Sequence, residues 1–265
     1  MDHLRRKLSP LTDAAWAEID DEARRILETN LSGRRIVDVV GPLGWEQGAV
    51  NLGRVGPAKG ADQDGPRWAL RQVQPLLEAR TPFTVSLAEF DNLARGARRI
   101  DLDSVSAAAH KVARFEEQAI YHGLSDAGIV GLCGGSEHAP VTIGEDPGSI
   151  LDAVTRGLLV FHDAGVAGPF ALVLGPELYT AVIGDNSPMP LRQQLANLLG
   201  APPIYSPVLG RRGILASTRG GDFELTLGQD HAIGFDRREG DQVHLFLVAS
   251  FTFRILSPEA LVVLA

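Results

Sequence analysis

The chain has 265 residues, 45% of them hydrophobic and 22% charged, a balance that excludes wholesale disorder and supplies a core for one large domain or two smaller ones. Its 25 Lys and Arg stand against 33 Asp and Glu, a formal net charge of −8. Nucleic acid and anionic membrane are thereby disfavoured as main partners, because both select clustered cations and the basic runs here are only two or three residues long.

The segment "SPLTDAAWAEIDDEARRILETNL" predicts an amphipathic helix capped at Ser9 or Thr12. Trp16, Ile19, Ala23, Ile26, Leu27 and Leu31 recur at helical spacing, and Gly33 is placed to stop the helix. "RRIVDVVGP" follows as a short β-branched strand. Residues 46–82 hold two strand-like arms around a middle rich in Gly, Pro and Asp, with Val50, Leu52 and Val55 on one arm and Leu70, Val73 and Leu76 on the other. A two-stranded ribbon with so few apolar residues is marginal alone, so it is expected to lie on something else, a neighbouring subunit being the natural candidate.

"SLAEFDNLARG" has a capping-box spacing at Ser86 and Glu89 and predicts a short helix. "DLDSVSAAAHKVARFEEQAIYHG" predicts a long helix buried along Val105, Ala108, Ala109, Val112, Ala119 and Ile120 and ending at Gly123. After "GIVGLCGG", whose glycines suggest a flexible junction, come a helix at "SILDAVTRGLLVFHDAGV" and a strand at "PFALVLGP". A helix at "PLRQQLANLLG" and a strand at "GILAST" follow. Alternation in "FELTL" and in Val243–Ile255 predicts half-buried antiparallel strands, with Gly220-Gly221 and "DRREGD" as turns. Strands and helices mix without regular βαβ repetition, which favours an α+β fold.

Chemistry is hard to find. There is no Gly-Lys-Ser/Thr phosphate loop, and Gly131, Gly134 and Gly135 lack dinucleotide-binding spacing. One cysteine and seven scattered histidines do not make a zinc site. Cys133 among small apolar residues reads as an inert buried thiol, in keeping with a reducing cytoplasm. Glu116 and Glu117 with His122 miss a di-iron register and read as a solvated helix end. Ser136, Glu137 and His138 are neighbours on a loop, whereas catalytic triads converge from separate segments. His231 and His244 are placed to pair with acids, with no nucleophile beside them. No catalytic residues are assigned. The terminal "LFLVASFTFRILSPEALVVLA" is broken by Arg254, Pro258 and Glu259 and reads as buried strand, short of the ~18 apolar residues of a membrane span. No apolar h-region follows the basic N-terminal residues.

The blocks "LSPLTDAAWAEIDDEARRIL", "GRRIVDVVGPLGWE", "PFTVSLAEFDNLARG", "TRGGDFELTLGQDHAIGFD" and "SFTFRILSPEALVVL", in this order along the whole chain, resemble the encapsulin shell proteins of the linocin/bacteriocin type. The resemblance implies the Hong Kong 97-type phage capsid fold and self-assembly into a cytoplasmic icosahedral compartment, most simply a 60-mer (T=1). It implies a peripheral domain at 1–45, 82–133 and 220–254, an extended loop at 46–81 that reaches a neighbouring subunit, and an axial domain at 134–219 and 255–265. Family shells enclose cargo, dye-decolorizing peroxidases or ferritin-like proteins, through a C-terminal targeting peptide bound on the inner wall. The matching groove positions are Ile26, Leu27, Asn30, Arg34, Asp38, Asp230, Ile233 and Phe235. A pore rim falls at Asp185, Asn186 and Ser187. Some relatives hold a flavin on an aromatic residue where this chain has Ala88, so no flavin is inferred, although Trp68 lies nearby in sequence. A serine-type peptidase or bacteriocin-like enzyme and a prophage capsid remnant are the alternatives.

Overall fold

A computed structural model describes residues 3–59 and 66–265; residues 1–2 at the chain start and 60–65 in the middle of the ribbon lie outside the described residues. Helix α1 (Asp13–Asn30) starts where the Thr12 hydroxyl accepts a hydrogen bond from the Ala15 amide, so Thr12 rather than Ser9 is the cap. It ends before Gly33, a glycine that close packing requires, because a Cβ there would meet Ile120 Cδ1 at 2.9 Å. After a short 3₁₀ turn the chain enters β1 (Asp38–Val40), then β2 (Ala49–Val55) and β3 (Arg71–Pro75), the two arms of the ribbon. β4 (Leu77–Ser86) runs straight into α2 (Leu87–Ala94), which Ser86 caps through the Ala88 amide. The long α3 (Asp103–His122) follows and stops at Gly123, whose φ of 83° favours glycine.

A tight pair, β5 (Gly123–Leu124) and β6 (Ile129–Val130), leads to α4 (Pro147–Asp163), capped by Asp146. Then come β7 (Phe170–Leu174), α5 (Pro176–Gly184), α6 (Leu191–Leu199), β8 (Ile204–Tyr205) and β9 (Gly213–Ser217). The chain closes with β10 (Phe223–Leu227), β11 (Ala232–Glu239), β12 (Gln242–Ile255) and β13 (Leu261–Leu264).

Two sheets organise the molecule. In the five-stranded one, β12 is the hub: β11 pairs with its first half, β10 with its second, and β4 runs antiparallel along its other edge from Gln242 to Phe251. β1 joins in parallel beside β10. The four-stranded sheet has the order β13-β9-β7-β8. One core lies between α1, α2, α3 and the first sheet, around Trp16, Ile19, Phe83, Phe90, Val112, Ile233 and Leu245. The other fills the second sheet and its helices and runs under the far half of β12, around Tyr121, Phe161, Leu172, Phe223, Phe251 and Phe253.

Four expectations change. β12 is buried on both faces from Leu245 to Phe253, not half-buried, because it is central in its sheet and covered above and below. "DRRE" continues β11, leaving Gly240 and Asp241 as the two-residue turn. Two of the three "GLCGG" glycines serve close packing: a Cβ on Gly131 would collide with the backbone of Gly123, and one on Gly135 with Ile255, whereas one on Gly134 would meet nothing. Finally, Glu116 and Glu117 are fully buried: Arg34 and His231 cover Glu116, and the turn after α1 with Ser206, just after β8, closes over Glu117.

Candidate functional site

The apolar stripe of α1 turns Trp16, Ile19, Ala23 and Ile26 into the core. Leu27, one residue on, is rotated about 100° from Ile26 and forms the wall of a groove of about 580 Å³. The opposite wall is the start of β11, with Ile233 and with Leu247 of β12 beneath it. Both ends are polar. At one, Arg6 forks the Asp20 carboxylate at 2.7 and 2.6 Å, donates to the Ile233 carbonyl at 2.7 Å, and lies 4.4 Å from the centre of the Trp16 ring.

At the other end Arg34 grips Glu116 with two bonds of 2.6 and 2.8 Å and reaches Asp230 at 2.9 Å. His231 Nε2 stands 2.9 Å from the second Glu116 oxygen, without an aligned hydrogen bond. Burial by itself would raise the Glu116 carboxyl, but the bonds from Arg34 and the proximity of His231 outweigh it and hold the pKa at about 2. The same bonds push the Arg34 guanidinium up against its own burial, so both partners stay charged. Asp230 keeps one oxygen without a partner among the described residues and its side chain is 41% exposed, which leaves an acceptor open at the groove mouth.

Of the positions expected here, Leu27, Arg34, Asp230 and Ile233 meet in the groove. Ile26 and Phe235 belong to the core and do not line the groove, while Ile233 lines it from a position that is only 3% exposed and part of the same core. Asn30 folds its amide back onto the Ile26 carbonyl at 2.7 Å. Asp38 lies at a separate cleft beside β10, where it accepts from the Gly221 amide. Arg6, Asp20 and His231 were not foreseen as groove residues; the only sequence signal for Arg6 was its place in a short basic run.

Elsewhere, Ser136 and His138 do not address each other as nucleophile and base. The Ser136 hydroxyl donates to the Leu261 carbonyl at 2.6 Å and the His138 ring bonds the Glu259 carbonyl at 2.9 Å, so both pin the C-terminal segment. Cys133 is partly buried, and burial raises its thiol against the opposing Arg212. His244 sits 3.4 Å from Glu239. Asn186 and Ser187 are exposed between α5 and α6, while Asp185 accepts from the Ser187 and Leu191 amides, which lowers its pKa and organises the loop. Ala88 offers no ring surface for a flavin, and Trp68 has the Lys59 ammonium 5.7 Å from its ring. Among the described residues no helix is long and apolar enough to cross a membrane.

Comparison with known proteins places this architecture. A family profile described as "Encapsulating protein for peroxidase" matches residues 1–252. The chain is 42% identical to a type 1 encapsulin shell protein of Brevibacterium linens over 267 residues, covering all of both chains. It is 41% identical to one of Rhodospirillum rubrum, covering 99% of this chain and 96% of that one. The fold matches a virus-like particle protein from Pyrococcus furiosus with a TM-score of 0.69 at 18% identity, over 96% of this chain and 100% of that one. It also matches the capsid of the myovirus phage XM1 with a TM-score of 0.56 at 13% identity, over 89% and 91% of the two chains. The two sheets, the long α3 and the outstretched ribbon are thus the Hong Kong 97-type capsid fold, a fold whose subunits assemble into shells. The chain belongs to the type 1 encapsulin shell protein family.

Proposed function

We propose that copies of this chain close into an icosahedral 60-mer in the cytoplasm, and that the groove between α1 and β11 takes the C-terminal targeting peptide of a cargo protein. The observation that carries the peptide reading is the groove itself: an apolar floor of Ala23, Leu27, Ile233 and Leu247 between two arginine–carboxylate ends. Such a floor supplies affinity to apolar side chains, and the polar ends fix direction and register. A peroxidase or a ferritin-like protein is the expected cargo, the first in line with the description of the family.

The ribbon supports assembly. Val55, Trp68, Leu70 and Val73 are all more than half exposed on β2, β3 and the chain beyond them, a cost that disappears once a second copy covers them. We read 46–81 as the extended loop, 1–45, 82–133 and 220–254 as the peripheral domain, and 134–219 with 255–265 as the axial domain. Asp185, Asn186 and Ser187 then form a polar rim where axial domains meet, and small solutes pass there.

Leu27→Asp tests the groove, because Leu27 is only partly buried and the substitution places a charge on the apolar wall. Shells carrying it are expected to close and to purify without the cargo that accompanies the unmodified shell. Cargo retained at the unmodified level would remove the groove from consideration.

A further inference from the structure

The root of the ribbon borders a second hollow, of about 320 Å³, that the peptide groove does not use. Leu245 and Leu247 of β12 point into the helix-covered core, so the alternation of the strand sends Phe246 and Val248 to the other face, where they floor this hollow. Trp45 and His3, with ring centres 5.0 Å apart, form a wall. Arg80 lies 3.6 Å from the centre of the Phe246 ring and reaches Asp236 at 3.4 Å, which engages its charge. Glu46 and Glu78 stand at the rim without an ion pair or a donor among the described residues, and Arg5 is likewise unpaired. Two open carboxylates thus face one open cation in an aromatic cup.

The far end of the ribbon has the complementary chemistry. Residues 47–59 and 66–76 carry Arg54, Lys59, Arg67 and Arg71 and no carboxylate, on a chain whose net charge is −8. Near the tip Lys59 bridges Trp68, whose ring is 52% exposed with the Lys59 ammonium 5.7 Å from its centre. The root is fastened to its own body, where Gln74 donates to the Thr252 hydroxyl at 3.0 Å and the Phe253 carbonyl at 2.8 Å. From the Gly48–Leu76 bond to the Lys59–Trp68 bridge the extended arm is roughly 36 Å long, at ~3.3 Å per residue, so the tip cannot return to its own root.

We infer that the hollow is the seat for the ribbon tip of a second copy: Trp68 enters the aromatic cup, and Lys59 and Arg67 meet Glu46 and Glu78. This rests on the reading of 46–81 as a loop that reaches a neighbouring subunit. Charge complementarity selects the occupant, since a cationic arm is drawn to open carboxylates and like-charged surfaces are refused. The indole supplies the apolar anchor, as a large ring filling a hollow does at the centre of a tight interface. The rim charges set the approach and weaken with salt.

Zero-length carbodiimide coupling of unmodified shells tests the seat. The chain has three lysines, Lys7, Lys59 and Lys111, and the reagent joins a lysine only to a carboxylate in contact with it. Peptide maps are expected to show Lys59 joined to Glu46 or Glu78, a bond that the length of the arm restricts to two copies. Lys59 joined only to other carboxylates, or to none, would overturn the seat while leaving the ribbon's part in assembly standing. Absence of particles from the unmodified protein would instead remove the assembly reading beneath it. The pair Glu46→Lys with Glu78→Lys, both at exposed positions, is expected to lower particle yield at least about tenfold with the subunit still folded by circular dichroism. Particles of that variant in the unmodified yield would equally overturn the seat.

Discussion

Replacing Arg34 by Ala removes both guanidinium bonds to Glu116, whose side chain is 0% exposed, and leaves that carboxylate with only the unaligned His231 ring nearby. Asp230 loses a partner too, but at 41% exposure water replaces it. The loss is therefore dominated by Glu116, and stranding one member of a buried pair costs about 3–5 kcal/mol. That is a large share of the ~5–15 kcal/mol that holds a typical domain folded. Removing both charges together, as Arg34→Met with Glu116→Gln, avoids the stranded charge and is expected to recover most of the loss. The assay is urea denaturation of the shells at fixed protein concentration and salt, since assembly is linked to subunit stability. A single Arg34→Ala variant within about 1 kcal/mol of the unmodified protein, or a double variant worse than the single, would refute the reasoning. The same arithmetic makes Arg34→Ala a poor probe of peptide binding, because it disturbs the fold as well as the groove.

Thr12→Ala removes the hydroxyl that caps α1 and is expected to cost about 1 kcal/mol in thermal or denaturant unfolding, with Thr12→Ser close to neutral. Val73→Asp places a charge on the exposed ribbon arm; the subunit is expected to keep its far-ultraviolet circular dichroism while size-exclusion chromatography shows loss of the assembled particle. Particles formed in normal yield would mean that this part of the ribbon is not an interface.

Local pattern carried much of the fold. The stripes of α1 and α3, the Ser86 cap and the two ribbon arms were all legible, because apolar periodicity records which side of an element is turned from water. β4 was not, although Glu78, Arg80 and Pro82 alternate outward against the more buried Leu77, Ala79, Thr81 and Phe83: the proline inside the run argues against a strand, and the ten residues of pairing that β12 offers override it. α5, with only Leu178 and Val182 buried, was too short to announce itself between a strand and a loop rich in Pro and Asp.

The candidate site was less legible still. The sequence by itself established that the chain folds as an α+β subunit with a ribbon too poor in apolar residues to stand alone, because composition and periodicity are local properties. Only the tertiary structure decided that Arg34 meets Asp230 across 196 residues, that Arg6 closes the other end of the groove, and that Glu116 and Glu117 lie in the interior. A charged residue looks the same in sequence whether water or another segment covers it, and the energy that keeps it buried comes from partners far along the chain.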